Sequence, residues 1–459
     1  MLQINEIINE PKLLALLNDT ARPETEKVLG ILNKALQKKG LELEEIASLI
    51  KTEDSVLLEK MFEVANKIKD DIYGERLVLF APLYISSFCV NDCQYCGFHC
   101  SNATARKKLT LLEVEEQVKF LIDMGHKRLL LEFGEDPHES SIDYVVDVIK
   151  TIYKTKSGNG EIRRVNLNIA ATSVEDYKKL KEVGIGTYQL FQETYHRDTY
   201  AQMHVGPKAD YERQLLAHDR AFEAGIDDVG IGVLFGLYDW RFEVLALVSH
   251  AQYLDKKFGV GPHTISVPRW QPAESVDWQQ APHLVSEEEL LKVIAILRMA
   301  VPYTGMIIST RERPEVRAKA FKLGISQTSA ASRTSPGGYG TEHKLEQFVL
   351  ADHRTLDESI ESILEQNLLP SFCTACYRLG RTGSDFMTFA KPGDIQDYCR
   401  PNAILTFKEY LEDYASPKVK ELGVKVLNSY LNKITNQQKV TEVNERLLRI
   451  EQGERDLYF

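Results

Sequence analysis

The spacing of apolar positions changes twice along the chain. Up to about residue 75 they recur every three or four residues, in "PETEKVLGILNKALQ" and again in "EDSVLLEKMFEVANKIKDDIYG". That period predicts amphipathic helices packed as an extension on a larger domain. From residue 77 short β-rich runs take over: "LVLFAPLYIS", "RLLLEF", "VNLNIA", "TYQLFQ", "VGIGVLF", "HTISVP", "GMIIS" and "ISQTSA". Helical stretches separate them. Three of these open on capping boxes: Thr110 with Glu113, Ser286 with Glu289, and Ser173 with Asp176 as a weaker variant. Strand–helix alternation predicts parallel strands with helical crossovers. Eight runs over about 255 residues match a (β/α)8 barrel in strand number and size, with a doubly wound open sheet as the rival. The alternation ends near "SRTSPGGYGTEHK", a Gly/Pro/Ser-rich connector, beyond which "TLDESIESILEQNLL" and "ILTFKEYLEDY" read as helices. The expected organisation is a helical extension at 1–76, an α/β barrel at 77–335 and a mainly helical last part at 336–459.

Composition narrows the classes. A chain of 459 residues can hold two or three domains, or one barrel with appendages. A net charge of −11 argues against a general nucleic-acid binder. The start "MLQINEIINE" has neither a basic nor an apolar leader region, and no apolar run approaches membrane-spanning length. A cytoplasmic protein without membrane association is expected, and in that compartment thiols stay reduced.

That expectation bears on the cysteines. Four of the seven fall within "FCVNDCQYCGFHC". An odd count in a long chain without an export signal disfavours a disulfide framework. Zinc sites favour paired C-x2-C knuckles or histidines at finger spacing. Here Cys89, Cys93 and Cys96 are spaced x3 then x2, directly after the first predicted barrel strand. Barrel active sites form on the loops after strands. Soft thiolates suit an iron–sulfur cluster. A 4Fe–4S cube on three cysteines leaves one iron open to a small molecule. Near the C-terminus, Cys373-x2-Cys376 is followed by Cys399 after twenty-two intervening residues. His343 and His353 precede that trio without finger-like spacing. Zinc would lack a ligand, so a second cluster with an open corner accounts for three thiolates better.

The first trio, with aromatic Tyr95 before its last cysteine and its place after a barrel strand, resembles the radical S-adenosylmethionine (SAM) superfamily. The superfamily needs three cysteines, which leaves Cys100 spare. The resemblance implies SAM contacts at the other strand ends: Gly134 and Glu135 in "EFGEDP" toward the methionyl ammonium, Asn168 in "NLNIA", and Gln192 and Glu193 in "LFQET". "GIGVLFG" is similar to the fifth-strand segment that backs the adenine.

With the second trio added, the chain resembles, over nearly its whole length, the tyrosine lyases that mature FeFe-hydrogenases. Tyrosine lyases of thiazole biosynthesis share the barrel and first motif but lack the C-terminal trio. The resemblance implies two iron–sulfur clusters, SAM, L-tyrosine, an electron-donor protein and other FeFe-hydrogenase maturases. It implies cleavage of the tyrosine Cα–Cβ bond to p-cresol and dehydroglycine, and conversion of dehydroglycine to carbon monoxide and cyanide at the second site. An anionic substrate carboxylate needs a donor; Arg311 and Arg313 in "STRERPE", with hydroxyls from Thr328 and Ser329 after the eighth strand, are candidates. His263 starts the sixth strand, at the barrel bottom. Enzymes resembling this one use a histidine in that context to hold an extra iron on the auxiliary cluster. The C-terminal part must then cap the barrel bottom, and an intermediate must pass through the barrel. The alternatives are a thiazole-type lyase that stops at dehydroglycine, and a non-catalytic iron–sulfur carrier.

Overall fold

The computed structural model describes residues 2–276, 281, 283–340 and 345–459. Five helices come first, Leu2–Ile7 to Ser55–Tyr73. The last is held at its start by Asp54, whose carboxylate accepts from Val56 and Leu57 backbone N–H at 3.0 Å, and ends at Gly74, φ 66°. These helices pack on barrel helices Trp240–Phe258 and Glu287–Ala300. Lys292 Nζ ties the two layers, donating to the Ile50 and Thr52 carbonyls at 2.7 and 2.6 Å.

Eight parallel strands follow: β1 (Arg76–Ser86), β2 (Arg128–Phe133), β3 (Arg164–Asn168), β4 (Tyr188–Gln189), β5 (Val229–Gly232), β6 (Thr264–Ser266), β7 (Gly305–Ile308) and β8 (Gln327–Ser329). Six fall inside the apolar runs, and β1 and β3 start one residue ahead of theirs, at Arg76 and Arg164. They pair in sequence order, and β8 pairs back onto β1 through Val78↔Gln327, Leu79↔Thr328 and Phe80↔Ser329, which closes a (β/α)8 barrel. The open-sheet rival is excluded. Ten of the eleven β1 residues are buried, as a strand covered on both faces requires. Thr110 and Ser286 form reciprocal capping boxes; Ser173 accepts from Asp176 N–H without the return bond.

After β8 the chain first returns to the upper end of the barrel. Gln347, Phe348 and Leu350 turn back to line the barrel mouth. The chain then forms helix Leu356–Glu365 and a ninth strand, β9 (Leu369–Ser371), parallel to the lower half of β1 through Arg76↔Leu369. Helices from Ala375–Arg378 to Gln437–Glu451 complete the lower end. Glu409, on helix Gln396–Asp413, is buried between Lys127 at 3.1 Å and Arg163 at 2.9 Å, residues just before β2 and β3. Removing one member of such a buried set typically costs ~3–5 kcal/mol, so this helix is firmly docked to the barrel bottom.

Candidate active and iron–sulfur sites

The loop after β1 carries Cys89, Cys93 and Cys96 into a recess at the C-terminal ends of the strands. Backbone bonds hold it on several sides. Val90 N–H donates to Glu135 O at 2.8 Å, Asp92 to Val205 O at 3.0 Å and Gly97 to Gln347 O at 2.9 Å. Asn91 spans the recess, donating from Nδ2 to Glu135 Oε2 at 2.7 Å and accepting from Lys208 N–H at 2.8 Å. All three cysteines are unpaired thiols, and Cys100 is exposed to solvent. Burial, then the neighbouring sulfur of Cys89, pushes Cys96 up to about 11; burial also raises Cys89 and Cys93. Crowded buried thiols with raised pKa values need a cation to become thiolates, which is what cluster iron provides.

Gly134 is fixed by the same loop. A Cβ there would stand 2.2 Å from the Phe88 carbonyl oxygen and 3.2 Å from Cys89 Cβ. Gly134→Ala is therefore expected to displace the first cysteine of the trio. Iron and sulfide per chain should fall by the share of one cluster while the fold, followed by circular dichroism, persists. Full iron content in the variant would refute this.

The recess is also lined by Tyr95, Glu135, Asn168, Glu193 and Lys208. Tyr95 is locked: His204 Nδ1 donates to the Tyr200 carbonyl at 2.8 Å, so its Nε2 accepts the Tyr95 hydroxyl, also at 2.8 Å. Glu135 does not present a free carboxylate, because Asn91 and Arg213 both bind it. Glu193 adopts φ 67°, a strained value for a side-chain-bearing residue, and pairs with Lys208 Nζ at 2.9 Å. Gln192 is buried but lines neither this recess nor the cavity beside it.

That neighbouring cavity fills the barrel mouth and shares Tyr95, Cys96, Glu132, Asn168 and Glu193 with the recess. Phe80, Tyr84, Phe191 and Phe348 give it aromatic walls. Arg311 lies at its side with the guanidinium carbon 3.2 Å from the Phe348 ring centroid. Glu132 lies on the wall as well; burial raises its carboxyl, against the pull of Arg311, to about 8. The residue was missed from sequence, where its signal is a lone carboxylate in the apolar run "RLLLEF". Two of the candidate carboxylate donors fall elsewhere. Arg313 is an exposed surface residue, paired with Glu287, at the start of helix Pro314–Phe321. Thr328 donates to the Ile308 carbonyl at 2.9 Å and accepts from Arg317 at 2.8 Å, away from the cavity, whereas its neighbour Ser329 lines it. Adjacent strand residues face opposite sides, which separates the two hydroxyls.

The second trio gathers at the opposite end of the barrel. Cys373, Cys376 and Cys399 share a cavity with His263, Arg76 and Arg128 beneath the strands. Arg76 donates to Cys399 Sγ at 3.2 Å, and Arg128 to the Cys373 carbonyl at 3.1 Å. Burial, then the adjacent Cys399 sulfur, raises Cys373 and Cys376. His263 lies against Phe386, ring centroids 4.2 Å apart. His353 is exposed, and His343 lies outside the described residues. Among the described residues no three His, Cys, Asp or Glu side chains converge on a single ion. Three thiolates alone would leave zinc one ligand short, whereas soft thiolates suit iron–sulfur chemistry, so the donor set of each trio suits an iron–sulfur cluster better than zinc.

Comparison with known proteins fits this arrangement. Residues 83–247 match the family model described as the radical SAM superfamily, and residues 266–369 match the biotin and thiamin synthesis associated domain. A curated relative, the 2-iminoacetate synthase of Salmonella typhimurium, is 31% identical over 347 residues, covering 75% of this chain and 90% of its own. A crystal structure of HydG, described as a maturase of the [FeFe]-hydrogenase, superposes with a TM-score of 0.97 at 55% identity, covering 99% of this chain and 100% of that one. HydG from Carboxydothermus hydrogenoformans gives 0.85 at 39% identity over 97% of this chain and 99% of its own. Among the described residues no helix is long and apolar enough to cross a membrane.

Proposed function

The chain belongs to the radical SAM enzymes of the HydG type, maturases of FeFe-hydrogenase, and from that premise we propose that it cleaves L-tyrosine between Cα and Cβ to p-cresol and dehydroglycine and converts dehydroglycine to carbon monoxide and cyanide at an auxiliary cluster. The observation that carries the reading is the pair of cysteine trios at opposite ends of one barrel. Cys89, Cys93 and Cys96 would hold the SAM-binding 4Fe–4S cluster, and Cys373, Cys376 and Cys399 the auxiliary one, with His263 on an additional iron. When bound, the first cluster and SAM supply a carbon-centred radical able to take a hydrogen atom from the substrate.

The protein's own part is recognition and exclusion of water. Aromatic walls accept a phenol ring. Arg311 offers a planar fork to the amino-acid carboxylate, and Ser329 a hydroxyl. Glu132 and Asn168 face the amino group from the strand ends. The shared wall of the two upper cavities sets that amino group against the SAM recess. Tyr95, fixed by His204, and the Glu193–Lys208 pair shape the recess for SAM. Gln189, inside the barrel, keeps a buried amide oxygen with no hydrogen-bond partner among the described residues, a polar point on the route dehydroglycine would follow to the lower cavity. Electrons would come from a donor protein, and the products would pass to other maturases.

Anaerobically reconstituted protein given SAM, dithionite and tyrosine is expected to release 5′-deoxyadenosine, p-cresol, carbon monoxide and cyanide. Cresol without the two diatomics would favour the thiazole-type lyase, the nearest alternative given the 2-iminoacetate synthase relative. Absence of cresol would reject tyrosine cleavage and leave an iron–sulfur carrier.

A further inference from the structure

Asp228 precedes β5 at the barrel bottom. It is 2% exposed, and neither carboxylate oxygen accepts a hydrogen bond from a described donor. A buried carboxylate without donors is costly unless something else engages it. Among the described residues the nearby arginines stand outside ion-pair distance of it, although Arg164 and Asp228 feel each other's charge. Arg164 stacks on Tyr377, 3.5 Å from its ring centroid, and Arg128 binds the Cys373 carbonyl at 3.1 Å. Among the described residues the single ion-pair contact of Asp228 is with His263, whose Nδ1 stands 3.4 Å from Oδ2.

Both partners are pinned by the sheet. Tyr188 N–H donates to the Asp228 carbonyl at 3.0 Å, His263 N–H to the Val229 carbonyl at 2.9 Å, and Gly305 N–H to the His263 carbonyl at 2.8 Å. The strand start is also tied to the C-terminal segment, where Thr382 donates to Asp227 Oδ2 at 3.2 Å. The two ring nitrogens of His263 therefore differ. Nδ1 faces Asp228, while the ring belongs to the wall of the cavity that holds the second cysteine trio. An imidazole that keeps its proton on Nδ1 leaves the Nε2 lone pair free for a metal. Metal-binding histidines usually give their other N–H to a carboxylate or carbonyl, which fixes ring rotation and tautomer and strengthens the ligand.

We propose that Asp228 is the positioning residue of the auxiliary iron site, holding His263 in the Nδ1–H form with Nε2 turned to the cysteine cavity. The role rests on reading the lower cysteines and His263 as an iron site. Asp228 itself touches neither metal nor substrate; it acts through the ring.

Protein carrying both clusters, freed of loosely bound iron by a chelator, is titrated with ferrous iron alone. Uptake is read as iron per chain and as a change in the electron paramagnetic resonance of the auxiliary cluster. Asp228→Ala is expected to weaken this uptake about 10–100-fold. Asp228→Asn, which keeps an acceptor without the charge, should weaken it less, and His263→Ala should abolish it. Parent-like affinity in both Asp228 variants, with uptake lost in His263→Ala, would overturn the role of Asp228 alone. Parent-like uptake by His263→Ala would overturn the iron-site reading beneath it. Should Asp228→Ala fail to assemble its clusters, Asp228→Asn decides by the same titration: weakened uptake supports the role, and unchanged affinity overturns it.

Discussion

Cys376→Ala is expected to leave p-cresol release near the parent rate and to drop carbon monoxide and cyanide to background, whereas Cys93→Ala is expected to abolish all three. The asymmetry follows from placement. Cys93 is buried in the upper loop beside Tyr95, and the adjoining cavity faces the same recess, so under the proposed function losing a thiolate there would remove the radical source and everything after it. Cys376 is on the short helix Ala375–Arg378 at the far end of the barrel. The lower part is anchored independently of its thiols, by β9 on β1 and by Glu409 between Lys127 and Arg163. One missing sulfur there should not reach the mouth. Chromatography of cresol, alongside haemoglobin trapping of carbon monoxide and a cyanide assay on the same samples, measures the split. Equal loss of cresol and carbon monoxide in Cys376→Ala would show that the two ends do not act separately.

How much of this arrangement was legible in the sequence depends on whether a feature is set locally. All eight barrel strands were, because each is a short apolar run flanked by helices with their own start signals, as with Thr110 and Glu113 at helix Leu111–Asp123. The strand β9 was not: three residues containing Pro370 have no period of their own and become a strand only by pairing with β1. The wall formed by Gln347 and Phe348 was hidden for the same reason, since the loop returns to the mouth through tertiary contacts such as Gly97 N–H to Gln347 O. The cysteine trios were legible as spacing, and spacing survives folding. Single polar contacts were less so. Arg311 and Arg313 are two residues apart in one charged turn, yet one stacks on Phe348 and the other points to Glu287. Choosing between them needs the start of helix Pro314–Phe321, which turns Arg313 outward. Thr328 and Ser329 could have been separated by strand parity, and Glu132 by asking why an apolar strand carries one acid.

Arg311→Leu is expected to raise the KM for tyrosine more than it changes any constant for SAM. A hydrogen bond to a charged group contributes about 1.5–3 kcal/mol, which corresponds to roughly 10–150-fold in kcat/KM. The side chain lies on the mouth cavity, flat against Phe348, with burial lowering its pKa and Tyr84, Glu193 and Glu132 favouring its charge. Arg311→Lys should recover little of the loss, because an ammonium neither stacks on the ring as a plane nor meets a carboxylate with two parallel donors. The neutral variant also leaves Glu132 without its nearby cation, so Glu132 should then hold its proton to higher pH. Glu132→Gln keeps the shape and removes the charge that the carboxylate carries above about pH 8; assayed in that range, it is expected to weaken tyrosine on its own and to soften the effect of Arg311→Leu when combined with it. The double variant therefore separates two accounts of Arg311. If the guanidinium serves the substrate carboxylate, most of the tyrosine KM defect persists in the Gln background. If it only balances Glu132, the Gln substitution restores binding. Steady-state kinetics with tyrosine and SAM varied in turn decide between them, and a parallel rise in the SAM constant would remove Arg311 from substrate recognition altogether.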